Sequence, residues 1–347
     1  MSRRIVRALL IAGAAALLVF AARCDQAWFD RHVFLPQQFF IVADHAIVWW
    51  ARAGAVIAAA GLLALVRFPP RRRFLWACLL ALPAAEAALQ WKSRHLVLPE
   101  LVRSMDALTS PDPRYGVTLK PSIDRLDRAG RREIRWITDD ARRRIGGRPI
   151  DESAPSLVFA GESTVVGAGL QWEETFPAML GERMRLQVMN LASMAYSIDQ
   201  SLLRLRDHLP RLRRPAAVIG FFMPGLLGRA RPPSALDRIG LYRIFRHLYF
   251  SDGDIGTAMD SVGAALAEMS DLARARGVPC VFVVTGHTPD WMRRELFDAR
   301  GLDAVVVEVT PEELLPEGHP GPAGTARIAD ALERRLRTES AQRNASR

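Results

Sequence analysis

The chain has 347 residues, 50% of them hydrophobic, and a formal charge of +10. That length would suit one or two packed domains, but the long apolar runs fall almost entirely before residue 92. The excess charge is nearly all arginine, with Lys92 and Lys120 the only lysines. The arginines are scattered and accompany no helix-turn-helix, zinc or RNA-binding motif, so they read as solvated faces and membrane-flanking charge and argue against a nucleic-acid partner.

The first elements are apolar. A bilayer core of about 30 Å needs roughly 20 apolar residues in helix, and three segments approach this: Ile5 to Ala22, Ala46 to Val66 and Phe74 to Leu89. Each has one charge near an end, Arg7, Arg52 and Glu86, where long side chains can snorkel to the headgroups. The basic stretches "MSRR" and "RFPPRRR" (Arg67 to Arg73) belong on the cytoplasmic side. Everything after Trp91 is then extracytoplasmic, in a multi-pass protein of the cytoplasmic membrane. A cleaved signal peptide over the first segment is the alternative, and it leaves the C-terminal part outside as well. Cys24, Cys78 and Cys280 make no disulfide framework and read as buried thiols.

From Lys92 to Ala154 the chain is polar and rich in turn residues, which reads as a linker and an irregular lead-in. Beyond it the rhythm changes. Short apolar runs (156–160, 186–191, 216–223, 279–285, 304–309) alternate with helical patterns (174–185, 198–209, 256–276, 289–299, 322–337). That alternation predicts an α/β domain, a parallel sheet with helices on both faces, over 155–337. Residues 225–254 form an insertion whose Leu241, Ile244, Phe245, Leu248 and Tyr249 recur at helical spacing beside Arg238, Arg243 and Arg246. It is read as a lid, a helix on the membrane surface, or a plain packed helix. Residues 338–347 read as a disordered tail.

Parallel α/β sheets place their sites where strands end and helices begin. Ser163, in "FAGESTVVGAGL", falls at the end of the first such strand. A serine there is either a helix N-cap or a nucleophile, and the second role needs a base. His319 supplies a candidate, in the turn-rich "EGHPGPAG" loop before the last helix. Glu317, two residues earlier, is the local carboxylate that could hold its tautomer.

These blocks resemble the SGNH (GDSL-type) hydrolase family. "AGEST" is similar to the family's Gly-Asp-Ser start, with Glu162 at the acid; "VMNLASMAYSIDQSLLRL" resembles its second block, and "EGHPGPAGTARIADAL" its closing block. The resemblance covers 156 to about 336 and implies a flavodoxin-like α/β/α sandwich with an ester-cleaving or acyl-transferring site that needs no cofactor. It implies Ser163 as nucleophile and oxyanion N–H donor, His319 as general base, Glu317 as the orienting acid or else a Ser-His dyad, and the Ala195 N–H as a second oxyanion donor. Two positions depart from the pattern. Pro316 stands where many members have Asp, and Pro224 stands where the family's oxyanion Asn would be. Proline has no N–H and no side-chain donor, so Arg229 or Arg231 is the candidate substitute. The implied protein is a membrane-anchored, outward-facing esterase or O-acyltransferase acting on an acylated envelope glycan or lipid. The competing reading is a catalytically impaired relative that binds or scaffolds.

Overall fold

The computed structural model describes residues 3–34, 45–67, 83, 86–87, 90, 107–129, 132–230, 239, 249–316 and 318–345. The chain divides into two compact units. The first comprises 1–38, 42–100 and 232–253, and the second 39–41, 101–231 and 254–347.

In the first unit, α1 (Arg3–Arg23) and α2 (His45–Arg67) are both long and apolar enough to cross a bilayer. The helices pack together through small residues: Ala14 and Ala59 are buried, and a Cβ on Gly13 would stand 3.2 Å from Leu62. Their other faces leave Leu9, Val19, Trp49, Trp50 and Ile57 exposed. A soluble domain rarely leaves so much apolar surface uncovered, whereas lipid would cover it. Arg52 does more than snorkel, because its Nε donates to the Ala21 carbonyl at 2.7 Å, one of the end carbonyls that α1 cannot satisfy itself. The third apolar segment, Phe74 to Leu89, lies almost wholly outside the described residues.

After α1 the chain turns through a single helical turn, Gln26–Phe29, capped by Asp25 and running into a π-turn. Phe29, Cys24 and Val48 form a small core with Phe20 and Trp28 around it. The end of the insertion belongs to this core. Tyr249 stacks on Trp28 at 5.8 Å, Phe250 N–H donates to the His32 carbonyl at 2.8 Å, and His32 Nδ1–H donates back to the Phe250 carbonyl at 2.7 Å. Arg31 pairs with Asp252 at 2.8 Å. The amphipathic stretch 241–248 lies outside the described residues.

The second unit opens with the lead-in, which is regular where irregular chain was expected. β1 (Thr109–Asp112) pairs with β2 (Gly116–Leu119), and β3 (Asp124–Ala129) with β4 (Arg132–Ile137), as two antiparallel hairpins. Their charged residues concealed them: β4 buries only Ile134 and Trp136 fully and points Glu133 and Arg135 outward.

The α/β body follows as β5 (Ser156–Ala160), α3 (Ser163–Val166), α4 (Phe176–Met184), β6 (Gln187–Asn190), α5 (Ile198–His208), β7 (Pro215–Phe222), α6 (Gly225–Arg229), α7 (Asp252–Ala275), β8 (Cys280–Thr285), α8 (Asp290–Leu296), β9 (Asp303–Val307) and α9 (Pro322–Ala345). The five strands are all parallel in the order β6-β5-β7-β8-β9. This is the flavodoxin-like order. β5 and β8 are buried along their whole length, which explains why both read as unbroken apolar runs. Helix α9 continues to Ala345, so the expected disordered tail 338–347 is helical over nearly all its length.

Candidate active site

In this strand order the direction of winding reverses between β5 and β7, and the crevice beyond their C-terminal ends is where such sheets hold ligands. Ser163 stands at that point. The tight turn after β5 needs Gly161, because a Cβ there would lie 2.2 Å from Val165 Cγ2.

The N-cap of α3 is Glu162, with extended backbone and Oε1 accepting the Thr164 N–H at 3.0 Å. Ser163 is therefore the first helical residue, and capping is done by its neighbour. Its own N–H is one of the orphan donors of a helix start. Ser163 is buried, 8% exposed, and its hydroxyl has two partners. It donates to Glu162 Oε2, and His319 Nε2 lies 2.9 Å from Oγ. The structure thus brings together Ser163 and His319 across 156 residues of chain.

His319 is held by a pinched loop. Leu315 N–H donates to the His319 carbonyl at 2.7 Å, Gly318 N–H to Leu315 at 2.8 Å, and Gly321 N–H to Glu313 at 2.7 Å. Gly318 has φ 86°, a left-handed value that glycine adopts freely. Thr325 Oγ1, near the start of α9, donates to the Glu174 carbonyl at 2.7 Å and ties this loop's helix to the chain entering α4. Glu317 lies outside the described residues. His319 Nδ1 is buried and has no hydrogen-bond partner among the described residues.

The second loop follows β6. Asn190, wholly buried, donates to the Val165 carbonyl at 3.0 Å and accepts from Ala192 N–H at 3.1 Å. This joins the loop to α3. Ala195 has φ 59°, an uncommon left-handed conformation for a residue with a Cβ, and it is exposed. Pro224 ends the segment after β7 as the N-cap of α6, buried and without a donor. Arg229 is not idle: its Nη1 donates to the Tyr196 carbonyl at 2.7 Å, next to Ala195. Arg231 lies outside the described residues.

Sequence reasoning missed the support behind α3. Arg144 is fully buried, with Nη1 donating to the carbonyls of Val166 and Gly167 and Nη2 to Leu170, and its guanidinium lies 3.9 Å from the Trp136 ring centroid. Burial pushes its pKa down to about 9, which leaves it charged at neutral pH. Arg204 is likewise buried, on Thr118 Oγ1 and the Ala141 and Arg142 carbonyls. The expectation of solvated arginines therefore fails for these two. No sequence signal separates them from the exposed arginines, because only the fold supplies their carbonyl partners.

No protein-family model and no curated protein matches the sequence. Among solved structures the chain is similar to a protein described as a lipolytic G-D-S-L family member from Desulfitobacterium hafniense DCB-2, at 14% identity, over 52% of this chain and 98% of that one, with a TM-score of 0.38. It is similar to a member of the lipolytic G-D-S-L family from Veillonella parvula DSM 2008 at 10% identity, over 51% and 96%, TM-score 0.34. A mutant of the esterase AlinE4 matches at 18% identity, over 45% and 77%, TM-score 0.30.

Proposed function

We propose that the second unit is an SGNH-type serine hydrolase that cleaves an ester or transfers its acyl group, carried on the outer side of a membrane by the apolar helices of the first unit. The observation that carries this reading is the 2.9 Å pairing of Ser163 Oγ with His319 Nε2, at the winding reversal of a flavodoxin-like sheet. A hydroxyl is a weak nucleophile until a neighbouring group takes its proton. Here the hydroxyl is desolvated, on the first residue of a helix whose free N–H groups favour negative charge. Ser163 acts as nucleophile, His319 works on the same oxygen, and the N–H groups of Ser163 and Ala195 receive the oxyanion.

The basic stretches at the start of α1 and after α2 stay on the cytoplasmic side, so the outward orientation requires the third apolar segment, Phe74 to Leu89, to cross as well. That orientation makes an acylated envelope glycan or lipid the substrate class. Labelling of the detergent-solubilised full-length protein by a fluorophosphonate probe tests the chemistry. Wild type is labelled at Ser163, Ser163→Ala is not, and an unlabelled wild type overturns the proposal. A C-terminal reporter fusion active only outside the cytoplasm tests the orientation.

One observation favours a second reading. Pro224 removes a donor from the site, and a missing oxyanion donor costs about 100- to 1,000-fold in rate. A binding or scaffolding relative would tolerate this, and ester hydrolysis that depends on Ser163 excludes it.

A further inference from the structure

The loop after β6 turns at Met194 and Ala195, and both of its flanks are fixed. On one side Ser193 N–H donates to the Gly161 carbonyl at 3.4 Å. On the other, Ser197 caps α5, its side chain accepting from Gln200 N–H and its own N–H donating to Gln200 Oε1 at 2.8 Å. Met194, Ala195 and Tyr196, in between, have a single hydrogen bond among the described residues, from Arg229 Nη1 to the Tyr196 carbonyl at 2.7 Å. The Ala195 N–H has no partner there. This turn also contains the residue at φ 59°, a conformation that Cβ sterics disfavour. Left to itself it would spend time in the ordinary regions of backbone space, with the N–H turned elsewhere.

Arg229 reaches the turn from across the crevice. In the sheet β5 lies between β6 and β7, and Ser163 follows β5. Tyr196 lies after β6 and Arg229 ends α6, after β7, so their bond spans the crevice beyond the end of β5. Pro224, at the start of that same helix, gives the crevice no N–H. A guanidinium on a carbonyl makes a charge-assisted bond, stronger than a neutral one.

We propose that Arg229 is a positioning residue: by holding the Tyr196 carbonyl it keeps Ala195 left-handed and its N–H ready for the oxyanion. The proposal rests on the hydrolase reading of this site, with Ala195 as an oxyanion donor, and adds what keeps that donor in place. The β7 side serves the oxyanion through the loop it holds, where Pro224 offers no donor of its own. A donor fixed beforehand needs no reordering as the carbonyl oxygen gains charge, which is what makes it effective.

The test is steady-state hydrolysis of p-nitrophenyl acetate by the full-length protein in detergent, with melting curves to confirm folding. An interaction made only in the transition state lowers kcat and kcat/KM together. Arg229→Ala is therefore expected to lose about 100-fold in kcat, the cost of one oxyanion donor, with little change in KM. Arg229→Lys, which still donates to one carbonyl, loses less. Added guanidinium ion restores part of the rate to Arg229→Ala and none to Ser163→Ala. The deciding comparison repeats the substitution in Ala195→Gly, where glycine adopts positive φ without the Cβ penalty. There the loss of Arg229 is expected to cost less, by at least about 5-fold. Equal losses in the two backgrounds overturn the proposal, because Arg229 then acts on the substrate itself. A raised KM with unchanged kcat overturns it too, as does no loss at all. If Arg229→Ala does not fold, the same comparison is made with Arg229→Lys. These results leave Ser163-dependent hydrolysis standing, whereas a wild type that neither hydrolyses the ester nor takes a fluorophosphonate label removes the hydrolase reading as well.

Discussion

Arg144 Nη1 donates to the Gly167 carbonyl at 2.6 Å, so a residue of the polar lead-in holds the turn that leaves the Ser163 helix. Gly167 has φ 81°, and a Cβ there would come within 2.9 Å of that same nitrogen and 2.2 Å of Thr175. The turn and the arginine fit each other with no space for a side chain between them. Arg144→Met takes a charged donor from three carbonyls and leaves that of Gly167 only the Leu170 N–H at 3.3 Å, and we expect a loss of about 3–5 kcal/mol. Arg144→Lys cannot fork across three carbonyls or stack flat on Trp136, and it is expected to lower both stability and Ser163 labelling. Denaturant melts and labelling rates of the two variants check this.

The left-handed Ala195 predicts a gain. Alanine at φ 59° carries a steric cost that glycine lacks, so Ala195→Gly should stabilise the fold or leave it unchanged, by up to about 1 kcal/mol. Glycine keeps the N–H, so ester hydrolysis persists in this variant. Ala195→Pro cannot reach this φ and has no N–H. It should lower stability and reduce hydrolysis by about 100-fold, the cost of one oxyanion donor.

Much of this was legible in sequence, for a physical reason. β5 and β8 are covered on both faces, so their burial shows as continuous apolar runs, and Ser163 was found because it follows the first of them. His319 was found because glycines and prolines mark its loop. The hairpins β1 to β4 were not legible, because a strand with one face on the body alternates with arginine and aspartate and resembles linker. The contacts of Glu162 were hidden differently. Its identity suggested a conservative replacement of aspartate, and only the backbone geometry shows that capping Thr164 with one oxygen aims the other at Ser163.

Pro224 predicts that activity can be raised. It is the buried N-cap of α6 at the end of β7, the strand beside β5. Its missing N–H belongs to a position that needs no intrahelical acceptor, so proline is structurally comfortable there. Pro224→Asn keeps a good N-cap residue and adds a side-chain donor on the site edge. We expect ester hydrolysis to increase by about 10-fold or more, up to the 100- to 1,000-fold attributed to one preorganised donor. Steady-state hydrolysis of a short acyl ester by both proteins measures it, and no increase would place another donor in the oxyanion site already.

His208 predicts how the fold responds to acid. It ends α5, is 7% exposed, and its pKa is pushed down to about 4, first by burial and then by Arg204, Arg143 and Arg211. The unfolded chain titrates near the ordinary value of about 6.5. Above that pH both states are neutral at this residue and its contribution is fully present. Between about pH 6.5 and 4 the unfolded chain binds a proton that the folded protein refuses, so stability falls as pH is lowered. At about 1.4 kcal/mol per pH unit the limit is on the order of 3 kcal/mol, and residual exposure makes about 2 kcal/mol the better expectation. His208→Gln removes the titration and should flatten the stability profile between pH 7 and 4.5 relative to wild type. If wild type and variant lose stability in parallel over that range, the acid sensitivity lies in other groups.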